Sequence, residues 1–270
     1  MAISIAGLLT AESGAGAGST TFTTSGSADP ANDRLILCVV HVSTDSGAWT
    51  GSPTLTGGGM DSWTLEESID SFNQNLMFCF RAVDASAGSG QLVFTRPGAE
   101  TFSSIELDVF EVMGSIITGT NGADAIIQSV SVAQDAGVST TTTMSMAGGG
   151  FAAGNGGFAA FGMQTAGTGA QCTPRAGWSE LKDDGNGSAC HTQVQWRADS
   201  DTAAAATYGT TGNIRAAIAL EIADAAVVSA ATIRRHRSMM SYAALAAPAL
   251  EAFGRIFTRS KTGLMLPQGV

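Results

Sequence analysis

The sequence predicts an all-β protein: two tandem jelly-roll-like β-sandwiches followed by a short helical or extended C-terminal arm. Three observations predict this. First, 34 glycines, abundant Thr, Ser, Val and Ala, and few charged residues describe short strands joined by tight turns. Second, the stretch WTLEESIDSFNQNLMFCFRAVD at 63–84 returns, worn, as WSELKDDGNGSACHTQVQWRAD at 178–199. Each copy opens with a tryptophan strand, breaks into a polar turn and resumes as an alternating strand that ends on Arg-Ala-Val-Asp or Arg-Ala-Asp. Third, the last 46 residues lose all strand alternation. The expected organisation is therefore a first sandwich at 1–114, a second at 115–224 and a basic arm at 225–270.

In the first half, residues 3–9 and 19–24 read as opening strands, and Pro30 breaks the turn at 28–33. RLILCVVHV at 34–42 is a continuous apolar run of strand length, as expected of a central strand covered on both faces. A short strand at 53–56, the bend Gly57-Gly58-Gly59 and the Trp63 strand follow. Residues 75–83 place Leu76, Phe78 and Phe80 on one face and Met77, Cys79 and Arg81 on the other. A short strand at 91–95 stops at Arg96-Pro97-Gly98. At 104–113, Ile105, Leu107 and Val109 share a face opposite Glu106, Asp108 and Phe110.

The second half repeats the order with smaller side chains. Strands are expected at 128–132, 140–146, 156–165, from Trp178, at 191–198, at 206–210 and at 214–222. Trp63 to Arg81 and Trp178 to Arg197 agree in spacing to within one residue. Some eight short strands per half with regular turn signals fit a double-sheet jelly roll.

Charge separates body from tail. Residues 1–224 hold 7 basic and 22 acidic residues; residues 225–270 hold 6 basic and 1 acidic. An acidic body repels nucleic acid, whereas the tail invites an acidic partner. The tail interleaves Arg234, Arg235, Arg237, Arg255 and Arg259 with Met239, Met240, Leu245, Leu250, Phe253, Ile256 and Phe257. Good helix formers at 225–247, Pro248 and a second short stretch at 249–258 describe an appendage and not core. It reads as an arm that packs on a neighbouring subunit, the alternatives being a solvated terminus and a nucleic acid or anionic membrane contact. The N-terminus shows no basic leader before its apolar run, and no run of about 18 apolar residues exists, so neither a secretory signal nor a membrane span is expected.

Catalytic signatures are absent from the sequence. It has no Gly-x-Ser-x-Gly elbow, no phosphate-binding glycine loop and no His-Glu-x-x-His. Paired carboxylates such as Glu66-Glu67 and Asp183-Asp184 are adjacent strand residues, expected to point to opposite faces. Cys38 and Cys79 read as small buried hydrophobes, and His41 as a buried, hydrogen-bonded core histidine. Cys172, Cys190 and His191 could in principle gather round zinc, but paired ligand spacing is missing. Residues 184–188 alternate oxygen side chains as calcium loops do, yet lack the sixth-position glycine and twelfth-position glutamate, and an Asn-Gly hairpin explains them. No metal, cofactor or catalytic residue is expected. Trp49, in a Gly- and Ser-rich bend, is the candidate glycan contact, whereas Trp63, Trp178 and Trp196 occupy strand positions suited to core.

DRLILCVVHV, a glycine bend, WTLEES, LMFCFRAVD and SSIELDVFEV, in that order, resemble a recurrent β-sandwich module of tailed-phage virion proteins. TPRAGWSEL, QVQWRAD and IRAAIALEI resemble its companion repeat. Related modules occur in bacterial surface proteins and in gene transfer agents. The resemblance spans residues 1–224 and carries over no functional residue, because the shared positions are strand and turn residues. It implies a non-enzymatic surface component of a phage or phage-like virion, made in the bacterial cytoplasm: a head decoration, spike or tail-associated fibre protein. Its partners would be other virion proteins and further copies of itself, with a host surface glycan as the alternative ligand, no nucleic acid and no membrane span.

Overall fold

A computed structural model describes residues 2–14, 19–44, 51–72, 74–98, 101–135, 139–146, 151–164, 172–185, 190–209 and 214–226. The tail at 227–270 and the bend that carries Trp49 therefore lie outside the described residues. Met1–Ala226 forms one compact unit.

The first half runs β1 (Ser4–Gly14), β2 (Thr21–Thr23), β3 (Leu35–Ser43), β4 (Thr54–Gly57), β5 (Thr64–Ser71), β6 (Asn75–Ala82), β7 (Leu92–Thr95) and β8 (Ser104–Met113). A short 3-10 segment, Thr120–Ala125, leads into the second half. That half runs β9 (Ile126–Gln134), β10 (Thr141–Ser145), β11 (Gly156–Met163), β12 (Cys172–Pro174), β13 (Ser179–Gly185), β14 (His191–Arg197), β15 (Ala203–Tyr208) and β16 (Arg215–Ile222). Among the described residues no helix is long and apolar enough to cross a membrane.

Each half builds a five-stranded and a three-stranded antiparallel sheet. The orders are β1-β8-β3-β6-β5 with β2-β7-β4, and β13-β14-β11-β16-β9 with β10-β15-β12. The two halves share one topology: first, last, third and sixth strands pair in one sheet, and second, seventh and fourth in the other. This is a jelly-roll nesting in which the fifth strand stays with the sixth as a hairpin.

The halves then pack into four layers. One apolar cluster joins the first five-stranded sheet to its three-stranded partner, with Phe78, Phe80 and Phe94 at its centre. Another does the same in the second half, but with Met144, Ala159, Phe161, Ala204, Ala206 and Ala219. The third lies between the two five-stranded sheets, where Leu37, Val39, Met77 and Phe110 meet Phe158, Val194, Ile218 and Leu220. With a sheet on either side, β3, β11 and β16 are buried along their whole length. The contact is reciprocal: β1 meets β13, and β5 meets β9. Such a face is isologous, as in a twofold dimer, here made within one chain.

Register corrects two sequence expectations. Thr64 pairs with Arg81, and Ser179, the residue after the second tryptophan, pairs with Trp196. Trp196, not Arg197, therefore holds the place of Arg81, and the extra residue of the second copy sets Arg197 on the other face, where it bonds Asp201 at 3.2 Å. Glu66 and Glu67 do not oppose each other. A register shift between Leu65 and Glu67 marks a bulge, and both carboxylates serve the layer between the halves. Glu66 takes the Nε–H of Arg81, and Glu67 accepts from Ser129 at 2.6 Å and Ser131 at 3.2 Å. The second half repeats that bulge between Glu180 and Lys182.

Candidate functional site

The layer between the halves holds an apolar cluster and, beside it, buried ionic groups. Glu106 and Asp108 project from β8 into it because Ile105, Leu107 and Val109 take the opposite face. The bulge at the start of β13 turns Lys182 toward them. Its ammonium bonds the Glu106 carboxylate and lies 2.7 Å from Asp108 Oδ1, all three side chains being buried. From there the network continues. Thr192 Oγ1 is 3.0 Å from Glu106 Oε2, and His41 Nδ1 is 3.0 Å from Thr192 Oγ1. His41 Nε2 meets Asn75 Oδ1, and Asn75 Nδ2–H donates to the Ile214 carbonyl at 2.9 Å.

Burial governs how these groups titrate. It pushes Glu106 up to about 7, against the pull of Lys182, and lowers His41 to about 4. Burial also acts to lower Lys182, but Asp108 and Glu106 outweigh it and hold the ammonium above its ordinary value. Two carboxylates facing one ammonium in a dry layer favour a structure in which Glu106 keeps a proton.

A second cluster lies inside the second sandwich. Cys172 opens β12 of the three-stranded sheet; Asp183 and His191 face it from β13 and β14 of the five-stranded sheet. One ligand atom from each falls within 4.8 Å of the others. Asp183 Oδ1 is 2.6 Å from His191 Nε2, and the Cys172 backbone N–H donates to both Asp183 oxygens, at 3.3 and 3.2 Å. Burial, reinforced by the Asp183 charge, raises the Cys172 thiol well above its usual range. The neutral thiol is no nucleophile there.

Of the sequence candidates, His41 is a buried histidine with two partners, and Cys38 and Cys79 are free and buried. Cys172 and Cys190, which the sequence places in polar turns, are also free and buried, and Cys172 opens β12. The trio of Cys172, Cys190 and His191 divides. Cys172 and His191 converge, but Cys190 turns to the His41 carbonyl, 3.9 Å away, and Asp183 takes its place. Sequence reasoning missed Asp183 because it was paired with its neighbour Asp184, which is exposed. The Gly57-Gly58-Gly59 triplet is a bend, all three residues having positive φ. Trp178 is buried, with Nε1–H donating to Asp201 at 2.9 Å. Trp63 and Trp196 are partly buried against the core. Trp49, the arm residues Arg234, Arg235, Arg237, Met239, Met240, Leu245, Leu250, Phe253, Arg255, Ile256, Phe257 and Arg259, and residues 186–188 of the calcium-like turn all lie outside the described residues.

On the surface, a shallow groove runs between Gly51–Pro53 and β5, floored by Leu65, Ile69 and Phe78. At the β5–β6 turn, Phe72 is 52% exposed with φ +58°. An aromatic residue in the left-handed region is strained and worth notice. Compared with known proteins, the chain matches no protein family and no curated sequence.

Proposed function

We propose that the protein is a non-enzymatic structural component on the surface of a phage or phage-like particle, a head decoration, spike or tail-associated fibre protein. The observation that carries this reading is how the body uses its polar chemistry. Lys182, Glu106 and Asp108 are turned inward and tie two sandwiches into one block, while exposed acidic residues such as Asp29, Asp61 and Asp70 and the hydroxyls of the outer sheets face solvent. Thr21, Thr23, Thr54, Thr56, Thr143 and Ser145 are all exposed on β2, β4 and β10. A self-sufficient block with an acidic, hydroxyl-rich surface suits display in solvent. Attachment falls to the cationic, apolar segment at 227–270, which meets acidic surface on other virion proteins or on further copies of the chain.

Co-sedimentation with particles, together with light scattering of the purified protein, tests this. The full chain is expected to associate or oligomerise, and a chain ending at Ala226 to stay folded but lose association. A full chain that remains monomeric and binds no particle protein counts against the reading.

A second reading, attachment to a host surface polysaccharide, is favoured by the groove between Gly51–Pro53 and β5. Pro53, on its rim, follows closely the bend that contains Trp49. Glycan-array binding that is lost in Trp49→Ala, with the melting temperature unchanged, would support it.

A further inference from the structure

The second sandwich is poorer in core than the first. Where the first packs Phe78, Phe80, Leu92, Phe94 and Phe102 between its sheets, the second sets Phe151, Phe161, Trp178 and Tyr208 among five alanines and three methionines. A thin core needs another fastening. The Cys172, Asp183 and His191 cluster spans the two sheets where that fastening is required.

We propose that Cys172, Asp183 and His191 bind a single divalent transition cation, zinc foremost, which clips the three-stranded sheet of the second sandwich to its five-stranded sheet. On binding, the cation displaces the Cys172 thiol proton to solvent, and the donor set becomes thiolate, carboxylate and imidazole, the three protein ligand types of zinc. Ligand atoms within 4.8 Å of one another need only small shifts to surround an ion at about 2.0–2.3 Å. The scaffold is prepared for it. Asp183 is held by the Cys172 backbone N–H, and Gly185 lies opposite His191 in the register. A Cβ on Gly185 would come 2.7 Å from the Cys190 carbonyl oxygen and 3.0 Å from His191 Nδ1, so only glycine leaves the imidazole its place.

Gln193 is the independent sign of a ligand. It pairs directly with Asp183 across β13 and β14 and so shares its face. It is fully buried, yet neither its Oε1 nor its Nε2 has a hydrogen-bond partner among the described residues. An Asp–His hydrogen bond alone explains the imidazole but leaves this amide orphaned, at a cost of about 1–3 kcal/mol. A cation carrying a water in its fourth position supplies the amide with a partner.

The test is titration of the chelator-treated full chain with Co²⁺ and Zn²⁺. One Co²⁺ per chain is expected, with a thiolate-to-cobalt charge-transfer band that Zn²⁺ abolishes by displacement, and Zn²⁺ should raise the melting temperature. Cys190→Ser should keep the band and Cys172→Ser lose it. If Cys172→Ser does not fold, Asp183→Asn, which retains an acceptor for the Cys172 amide, should weaken Co²⁺ binding at least tenfold. Absence of the band from the wild type, its survival in Cys172→Ser, or unchanged affinity in Asp183→Asn overturns the proposal.

Discussion

Lys182 Nζ lies 2.7 Å from Asp108 Oδ1, although the two residues are 74 positions apart and belong to different halves of the chain. With Glu106 they form a buried trio whose charges are satisfied only when the two sandwiches are stacked. Lys182→Met leaves two carboxylates facing each other in a dry layer. The expected loss is about 3–5 kcal/mol, seen as a lowered denaturant midpoint. Lys182→Met combined with Glu106→Leu and Asp108→Leu should recover most of that loss, since apolar groups suit the same layer. A Lys182→Met protein as stable as the wild type would remove the trio from the forces that hold the halves together.

The hydrogen-bond directions around His41 make a pH prediction. Asn75 Nδ2 donates to the Ile214 and Gly162 carbonyls, so its Oδ1 faces His41 Nε2, which must carry the hydrogen. Thr192 Oγ1 donates to Glu106 Oε2 at 3.0 Å and lies 3.0 Å from His41 Nδ1, so one hydroxyl links the two titrating groups. Glu106, raised to about 7 from 4.5, contributes stability that is full below pH 4.5 and lost as pH rises through 7. His41, lowered to about 4 from 6.5, contributes stability that is full above pH 6.5 and lost as pH falls through 4. Between about 4.5 and 6.5 the two oppose each other. Unfolding free energies at pH 5 and pH 8 should show the wild type losing ground to Glu106→Gln as pH rises. A difference independent of pH would contradict the assignment.

At Gly162 the two halves come close together. A Cβ built there comes 2.7 Å from Met77 Cε and 2.8 Å from His41 Cδ2. The histidine is held on two sides, so it cannot yield cheaply. Gly162→Ala should cost about 1–3 kcal/mol by overpacking. Met77→Ala in the same chain should relieve only the methionine part of the clash, which a double-mutant cycle would read.

Removal of residues 227–270 should leave the melting temperature of the body within a few degrees. Among the described residues, the three apolar clusters lie within Met1–Ala226, and Asp224 bridges to Ser115. Unfolding of the shortened chain at 25 °C would show that the tail is part of the core.

Much of the fold was legible because strand periodicity reports which residues share a face. RLILCVVHV read as covered on both sides, and β3 is; Leu76, Phe78 and Phe80 parted correctly from Met77 and Cys79. The candidate cation cluster was half legible. Cys172 and His191 stood out by residue type, but Asp183 did not, because its partners lie on two other strands. The ionic trio was hidden altogether. Glu106 and Asp108 alternate with apolar residues as a solvated face would, and only a bulge brings Lys182 over them.

The sequence by itself determined an all-β body of twice eight short strands, since local alternation and turn residues depend only on near neighbours along the chain. Tertiary structure alone decided that the two five-stranded sheets cover each other, that a one-residue slip puts Trp196 where Arg81 stands, and that polar side chains far apart in sequence meet in a dry layer. Those outcomes depend on bulges and on contacts between sheets, and such contacts leave no periodic mark on the strands that make them.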